Sequence, residues 1–409
     1  MLKLDGKPVA DEINQNTTPD ANDQKGPVEN ILNGIKVEKF LFVRSLDSSQ
    51  ASVRLHICAA EQAASNDHSR KAMFLHPKHS IPQIDSKTCI VFYYADKWAV
   101  ETVRFILNTQ LCGFCVCFGS DIKTFSQYDC LEDIVDCFLM PSDYHRKVLG
   151  LRSYAQVRVV REAVDPNAYR VKHFKLSKRP STQSLEQISL VWFGYPENFY
   201  AGMSNIIDII RAEISRGRIS KFAIVTKKRN LEYIYNDFEF IDYNALEFSD
   251  IISGFDYAVL SHYPGDLTVN AFIKSHNKAI ASLMAGTIPI VTNTPNYKKL
   301  MESVNLEEYI YSSPTDFASI LSRLNVERDY IKADLGRVCD KLLSTYSPAE
   351  VYKDMIYAIQ SASSEIRQTK NFTKPVCRPD PEYFRSFISN FKGLLPSFLS
   401  LIKRKFINR

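Results

Sequence analysis

Residues 274–297 read KSHNKAIASLMAGTIPIVTNTPNY, and they join a helix-like run to a strand-like run. Gly286 stands between the two runs and supplies the backbone freedom with which helices commonly end. The apolar residues 287–291 then have the character of a buried strand. A helix that turns into a buried strand is typical of a parallel α/β sheet, so this stretch predicts that class of fold.

The same alternation extends outward from this stretch. Earlier in the chain, the strand-like runs are KFLFVR, AMFLH, TCIVFYY, FCVCF, CFLM and VRVV; later, they are ISLVWF, KFAIVT, FEFI, YAVL and IPIV. The polar stretch HFKLSKRPSTQSLEQ separates the two series and has the composition of a linker. A chain of 409 residues also exceeds the usual size of one hydrophobic core. We therefore predict two Rossmann-like α/β domains that face each other across a cleft.

The predicted organisation has four parts. They are a flexible polar arm at 1–35, a first domain at 36–175, a second domain at 176–365 and a basic amphipathic tail at 366–409.

The composition of the chain excludes several classes of protein. The chain is 45% hydrophobic and 24% charged, and no apolar run approaches the roughly 20 residues of a membrane-spanning helix. The formal charge of +5 is too small for its length to indicate nucleic acid as a partner. Nine cysteines without paired zinc-type spacing indicate reduced thiols. With no secretory signal in the first residues, we expect a cytoplasmic protein without a metal site.

The head of the opening stretch predicts an anion site. Lys274 and Lys278 are four residues apart and share a helix face, so an anion between them would relieve their repulsion. Ser275 and Asn277 add hydrogen-bonding groups, and helix N-termini attract anions. A diphosphate fits this arrangement. The alternative is that Ser275 caps the helix while both lysines face water.

Other candidates follow predicted strands. Gly194 would let a ligand approach the backbone or would serve as a turn residue, and Lys227 would hold a phosphate or face solvent. Asp121 would contact substrate or cap a turn, and His145 would reach the cleft or lie on a helix surface. Tyr297 would line the nucleotide site or pack in the core.

Several of these segments, taken in order, resemble the GT-B glycosyltransferases, especially their family-4-like branch. The second-half segments KSHNK, MAGTIPIV and NTPNY resemble the donor-binding motif. In the first half, SSQASVR, GFCVCFGSDI, CFLMPSDYHRKVL and VVREAVDPNAY resemble segments of the acceptor side. Together the matches extend over about residues 39–301.

The sequence departs from that pattern where many of these enzymes have two glutamates. The corresponding positions are Ile273 and Ala281, so either another side chain, with Asp266 and Asn277 as candidates, replaces the missing carboxylates or the donor is bound differently. The cations expected after Gly194 are also missing, which leaves Lys227, Lys274 and Lys278 to neutralise the diphosphate. The resemblance nevertheless implies a donor site at Gly194, Lys227, Lys274, Ser275, Asn277, Lys278 and Tyr297, with Asp121 and His145 as the catalytic candidates.

The resemblance implies transfer of a hexose-like sugar from a nucleotide-sugar donor to an acceptor hydroxyl, with retention of configuration and without a metal or other cofactor. The acceptor would be a glycan or a lipid-linked glycan in surface polysaccharide or glycoconjugate biosynthesis. A catalytically silent scaffold or partner protein would explain the missing glutamates, and a nucleotide-sugar epimerase would share the architecture.

The last part of the tail, residues 390–409 (NFKGLLPSFLSLIKRKFINR), mixes cations with large apolar side chains and contains no acidic residue. This composition favours contact with an anionic membrane surface, which would make the protein peripheral on the inner face of a membrane. Packing of an amphipathic helix against the body of the protein is the alternative.

Overall fold

The computed structural model describes most of the two predicted domains. The described residues are 37–45, 54–120, 131–143, 156–164, 187–227, 235–245, 247–262, 273, 275–325, 329 and 334–369. The polar arm, Asp121, His145, Lys274, Asp266 and residues 370–409 of the tail lie outside these ranges, so the expectations placed on them stay predictions.

The first sheet confirms the first series of predicted strands. All its pairings are parallel, in the order β2-β1-β3-β4-β5-β6. Its strands are β1 (Lys39–Val43), β2 (Lys71–Leu75), β3 (Thr88–Tyr93), β4 (Phe114–Phe118), β5 (Cys137–Met140) and β6 (Gln156–Val159). The central strands β3 and β4 are buried along their whole length and mostly apolar, because both of their faces are covered.

The second sheet confirms the second series. It is also parallel, in the order β12-β11-β10-β7-β8-β9. Its strands are β7 (Ile188–Phe193), β8 (Ile219–Thr226), β9 (Glu239–Asp242), β10 (Tyr257–Leu260), β11 (Ile288–Thr292) and β12 (Ile310–Tyr311).

Helices connect the strands of both sheets. In the first domain they are α1 (Ala59–Ser65), which continues a π-helical turn at Arg54–Cys58, and α2 (Lys97–Thr109). In the second series they are α3 (Pro196–Met203), α4 (Ile207–Ser215), α5 (Phe248–Ile252), α6 (Asn277–Met284), α7 (Pro295–Ser303), α8 (Pro314–Arg323), α9 (Leu335–Tyr346) and α10 (Pro348–Thr369). Gly286 has φ +82° and ends the α6 segment as predicted.

The last helix, α10, crosses back to the first domain. Its apolar side chains, Val351 and Met355 among them, belong to the same buried cluster as Phe40 of β1. On its polar face, Asp354 accepts two hydrogen bonds from Arg161, at 2.6 and 2.8 Å. The predicted boundary at residue 365 assigns α10 to the second domain, whereas its core contacts are with the first sheet.

The strand orders locate where a ligand would bind. The order of each sheet reverses once, between β1 and β3 in the first and between β7 and β10 in the second. Doubly wound sheets bind ligands in the crevice at such a switch point, outside the carboxyl ends of the strands. The residues that follow β7 and β10 are therefore the first place to look for a site.

Seven of the nine cysteines lie in the described part of the chain. Five of them, Cys89, Cys115, Cys117, Cys137 and Cys339, are buried. Burial raises the pKa of the Cys137 thiol to about 12, so that thiol is protonated and unreactive at neutral pH. The reduced state of the cysteines stays a prediction.

Candidate functional site

The end of β7 and the start of α6 meet at the switch point of the second sheet. The Lys278 ammonium, in the first turn of α6, donates a hydrogen bond to the carbonyl oxygen of Phe193 at 2.9 Å. It also lies 5.3 Å from the ring of Trp192 and 5.6 Å from the ring of Phe193. Two of the predicted donor-site residues, Gly194 and Lys278, are thus brought together from positions 84 residues apart in sequence.

Glycine is required at position 194 for two reasons. Its φ of +154° is one that side chains rarely adopt, and a Cβ there would stand 2.6 Å from the Lys278 Nζ. The Gly194 carbonyl also accepts a hydrogen bond from Thr226 at the end of β8, at 2.7 Å. The missing side chain therefore makes room for an ammonium group rather than only for a turn.

The other residues at the head of α6 have different roles: two of them begin the helix, and one contacts the first domain. His276 is the N-cap residue, without a hydrogen bond from its side chain to the helix, and Asn277 is the first helical residue. Ser275 does not cap the helix; its hydroxyl lies near Glu162 of the first domain and contributes to the lowered pKa of that carboxyl. The head of α6 therefore touches the first domain.

This contact is part of a cross-domain cluster, which we define as His56, Glu162, Ser275 and His276. His56 lies in the π-helical turn after β1, and its Nε2 is 2.9 Å from Glu162 Oε1. The side chain of His56 is 0% exposed and that of Glu162 is 6% exposed. Glu162 follows β6 of the first sheet, and Ser275 and His276 directly precede α6, so the cluster joins segments of both domains.

Backbone hydrogen bonds of the two residues that follow Glu162 fix its position. The amide of Ala163 donates to the carbonyl of Leu55 at 2.9 Å, and the amide of Val164 donates to the carbonyl of Tyr346 at 2.8 Å. One bond ties the segment after β6 to the turn that carries His56, and the other ties it to the end of α9. The carboxylate is therefore held between the domains by three adjacent residues.

The charges in the cross-domain cluster follow from its surroundings. Burial pushes the pKa of Glu162 upward, but the hydrogen bond and charge of His56, the Ser275 hydroxyl and His276 outweigh burial, so the net pKa is lowered. Burial lowers the pKa of His276 to about 4, and the nearby Glu162 charge opposes this shift only in part. At pH 7 the cluster therefore holds an ionised carboxylate beside a neutral His276 imidazole.

Three buried atoms of the cross-domain cluster have no hydrogen-bond partner among the described residues. They are His56 Nδ1, Glu162 Oε2 and His276 Nε2. Buried polar atoms are nearly always hydrogen-bonded, since an unsatisfied one costs about 1–3 kcal/mol. Among the described residues, no group of three or more metal-binding side chains has the geometry of a metal site. The three atoms are therefore fully buried as well as unpartnered.

The remaining predicted residues lie around this region. Lys227 directly follows β8 and is exposed. Tyr297, in α7, is 1% exposed and its ring stacks on that of His262 with centroids 5.6 Å apart. Its hydroxyl is close enough to Glu162 for that charge to raise its pKa, although burial is the larger cause. Tyr297 is therefore a core residue whose polar end is near the cross-domain cluster.

Sequence reasoning did not select His56, Glu162 or His276. His56 and Glu162 are 106 residues apart, so no local spacing joins them. The available signal was a charged pair, Arg161 and Glu162, inside the apolar run VVREAV directly after a strand. A carboxylate in such a run is rarely buried without a partner.

No family model and no curated protein matches this sequence. Solved structures match its fold at low identity. HepE of Anabaena, in complex with UDP and glucose, matches with a TM-score of 0.56 and 10% identity over 80% of this chain and 100% of that chain. A glycosyltransferase from Rickettsia africae matches with a TM-score of 0.54 and 10% identity over 79% of this chain and 98% of that chain.

The O-GlcNAc transferase of Thermobaculum terrenum matches with a TM-score of 0.51 and 8% identity over 82% of this chain and 69% of that chain. These matches agree with the two parallel six-stranded sheets of this chain. The chain therefore has the GT-B fold, the two-domain fold of these glycosyltransferases.

Proposed function

We propose that this protein transfers a sugar from a nucleoside-diphosphate sugar to an acceptor hydroxyl, with the nucleotide bound by the second domain. The observation that carries the proposal is the convergence of Gly194 and Lys278 at the switch point of a GT-B fold. A cation and a helix N-terminus face the place where doubly wound sheets bind nucleotides.

The chemistry of the proposed reaction explains this arrangement. Breaking the bond between the sugar and the diphosphate develops negative charge on the leaving group. A fixed ammonium such as that of Lys278 stabilises this charge without having to reorganise during the reaction. Two firm contacts, to the Phe193 carbonyl and to the face of Trp192, hold the ammonium in place.

The finer features of the function are proposals as well. We propose a retaining transfer of a hexose-like sugar without a metal or other cofactor, onto a glycan or lipid-linked acceptor in surface polysaccharide or glycoconjugate biosynthesis. Among the described residues, no helix is both long and apolar enough to cross a membrane. The predicted contact between the basic tail and an anionic membrane surface, and the cytoplasmic location, rest on the sequence alone.

A catalytically silent GT-B protein is the second candidate function. Ile273, where the resemblance places one of the two glutamates, is 4% exposed and part of the core. Ala281 takes the place of the other within α6. A silent protein would bind partners or nucleotides without turning a donor over.

Ligand-dependent thermal stability tests the nucleotide site. HepE contains UDP, so we would measure the Tm with UDP first and then with GDP and ADP. A ligand at 100 times its Kd stabilises the folded state by about 2.7 kcal/mol, and we expect one of these to raise the Tm accordingly. Lys278→Met should reduce the rise, whereas Lys298→Met should not, because Lys298 is an exposed residue of α7 that pairs with Glu302.

Two outcomes would contradict parts of this proposal. If no nucleoside diphosphate raises the Tm, the second domain does not hold a nucleotide and the proposed function is wrong. If a diphosphate binds but the matching nucleotide sugars release no free diphosphate over a panel of glycan acceptors, the silent candidate is favoured.

A further inference from the structure

Tyr346, the last residue of α9, contacts segments of both domains. Its ring packs edge-on against the His276 ring, with the two centroids 5.1 Å apart. The central carbon of the Arg161 guanidinium lies 5.8 Å from the centroid of the Tyr346 ring, and the Tyr346 carbonyl accepts a hydrogen bond from the Val164 amide at 2.8 Å. Arg161 and Val164 follow β6 of the first sheet, whereas His276 is the N-cap residue of α6. Tyr346 therefore connects the first domain to the helix that carries Lys278.

The first domain fixes the Arg161 side chain. Asp354 of α10 accepts two hydrogen bonds from Arg161, at 2.6 and 2.8 Å, and this bidentate ion pair holds the guanidinium in one orientation. Met355, the next residue of α10, lies in the buried cluster of the first sheet. Burial raises the pKa of the Tyr346 hydroxyl, so the ring beside the guanidinium is neutral at pH 7. The contact between Arg161 and Tyr346 is therefore a cation–π contact between a charged guanidinium and a neutral aromatic ring.

The contact with His276 constrains the first turn of α6. The His276 carbonyl accepts the first hydrogen bond of the helix from the Ile280 amide, at 3.1 Å. No hydrogen bond from the His276 side chain caps the helix, so the packing of its ring against Tyr346 contributes to the orientation of this residue. Lys278 lies two residues further on, and its ammonium donates to the Phe193 carbonyl. A shift of the N-cap residue would therefore shift this ammonium.

We propose that Tyr346 is a positioning residue for Lys278. It transmits the position of the first domain to the first turn of α6, so the affinity of the second domain for a diphosphate depends on the first domain. This inference rests on the proposed function, because it assumes that Lys278 contacts the diphosphate of the donor. A charged group stabilises a leaving group only when it is well placed, and a misplacement of about 1 Å can reduce a rate by about 100-fold.

The aromatic ring of Tyr346 makes both the edge-on contact with His276 and the cation–π contact with Arg161. Phenylalanine at this position keeps the ring and loses only the hydroxyl. Leucine keeps an apolar side chain against the core of the second sheet but loses both ring contacts. The two substitutions therefore separate the ring contacts from apolar packing.

Titration calorimetry with a nucleoside diphosphate tests the inference. The probe is UDP, or GDP or ADP if the thermal screen selects one of these. We expect Tyr346→Phe to keep the Kd within about 2-fold of wild type, and Tyr346→Leu to weaken binding by about 5- to 20-fold because both ring contacts are lost. The matched control is Tyr357→Leu, since Tyr357 of α10 is 72% exposed and takes part in neither contact. It should leave the Kd unchanged.

A double-variant cycle distinguishes positioning from a merely structural role. If Tyr346 acts through Lys278, Tyr346→Leu has little left to disturb once the ammonium is removed, so it should change the Kd of Lys278→Met by less than about 2-fold. Arg161→Met removes the cation of the first domain without altering α9 or α6. We expect Arg161→Met to weaken the diphosphate by about 2- to 5-fold in wild type and to have no further effect in Lys278→Met.

The possible failures are distinguishable. If the diphosphate binds but Tyr346→Leu binds it as tightly as wild type does, the inference is wrong and the proposed function remains intact. The inference is also wrong if the loss persists in full in Lys278→Met, because Tyr346 would then act on the fold as a whole. If Tyr346→Leu does not fold, the two measurements with Arg161→Met decide the matter. If wild type binds no nucleoside diphosphate, the proposed function and this inference are both wrong.

Discussion

The Gly194–Lys278 contact and the cross-domain cluster both place an ionisable side chain at the inner edge of a sheet, but only one of them is satisfied. The Lys278 ammonium has a carbonyl oxygen and two aromatic faces around it. The cross-domain cluster pairs His56 with Glu162 and still leaves three buried atoms without partners. The lesson is that two charged groups in comparable places in the fold can differ in how completely the chain itself supplies their hydrogen-bond partners.

The largest expected effect comes from a substitution in the cross-domain cluster. His56→Leu leaves the Glu162 carboxylate buried without its hydrogen bond, and we expect the free energy of unfolding to fall by about 3 kcal/mol. The measurement is the urea midpoint at pH 7. The double variant His56→Leu/Glu162→Leu should recover most of the loss, because replacing both buried partners by apolar groups removes the uncompensated charge.

Equal losses for the single and the double variant would show that the stability of this region comes from packing. His56 also lies 5.3 Å from the ring of Phe118, so a packing contribution is measurable in its own right. In that case the comparison between a satisfied and an unsatisfied region would no longer hold.

The sequence predicted more of the fold than of the site, and the two regions show why. The strands and the ends of β7 and α6 are encoded by runs of neighbouring residues, so Gly194 and Lys278 could be selected from their places beside those runs. The link between His56 and Glu162 depends on which turn packs against which strand end, 106 residues away. Local pattern contains no information on that contact.

The same reasoning explains why Ser275 does not occupy the helix-capping position that the sequence predicts. Its position before a helix-like run predicts a cap, which is a local property. In the folded chain His276 takes the N-cap position, and the Ser275 hydroxyl lies near a carboxylate of the other domain. A competing contact from a distant segment thus determines where this side chain points.

A smaller effect is expected from a substitution at the Gly194–Lys278 contact. Gly194→Ala combines an unfavourable φ with a Cβ 2.6 Å from Lys278 Nζ and 3.1 Å from the Trp192 ring, so we expect a loss of about 2–3 kcal/mol in the free energy of unfolding. Gly217→Ala is the matched control, since Gly217 has φ +74° with nothing within 4 Å of an added Cβ. It should cost about 1 kcal/mol from backbone strain alone.

Chemical denaturation of Gly194→Ala and Gly217→Ala separates backbone strain from steric crowding by Lys278. Adding Lys278→Met to Gly194→Ala should cost less than Lys278→Met costs in wild type, because the ammonium is already displaced. If Gly194→Ala and Gly217→Ala lose the same stability, the close approach of Lys278 has no energetic weight and only the backbone conformation requires glycine.

The smallest effect concerns pH, and it separates the two regions because only the cross-domain cluster contains both an imidazole and a carboxylate. The pKa of His276 is lowered from 6.5 to about 4 in the folded chain, chiefly by burial, with Lys299 and Arg161 lowering it further and Glu162 opposing the shift. Between pH 6.5 and 4 the unfolded chain therefore binds a proton at this residue that the folded chain does not bind. Stability must fall as the pH is lowered through this window, by at most about 1.4 kcal/mol per pH unit.

Glu162 does not add to the loss in the upper part of that window. Its folded pKa lies below the ordinary 4.5, so the stability that it contributes is present above pH 4.5 and disappears only at lower pH. The comparison of urea midpoints at pH 7, 6 and 5 for wild type and His276→Asn isolates the imidazole, because asparagine is favourable at an N-cap and does not titrate. We expect the variant to have the flatter profile between pH 6 and 5. Parallel profiles would mean that His276 is as accessible to protons in the folded chain as in the unfolded one, and the cross-domain cluster would then be open to water.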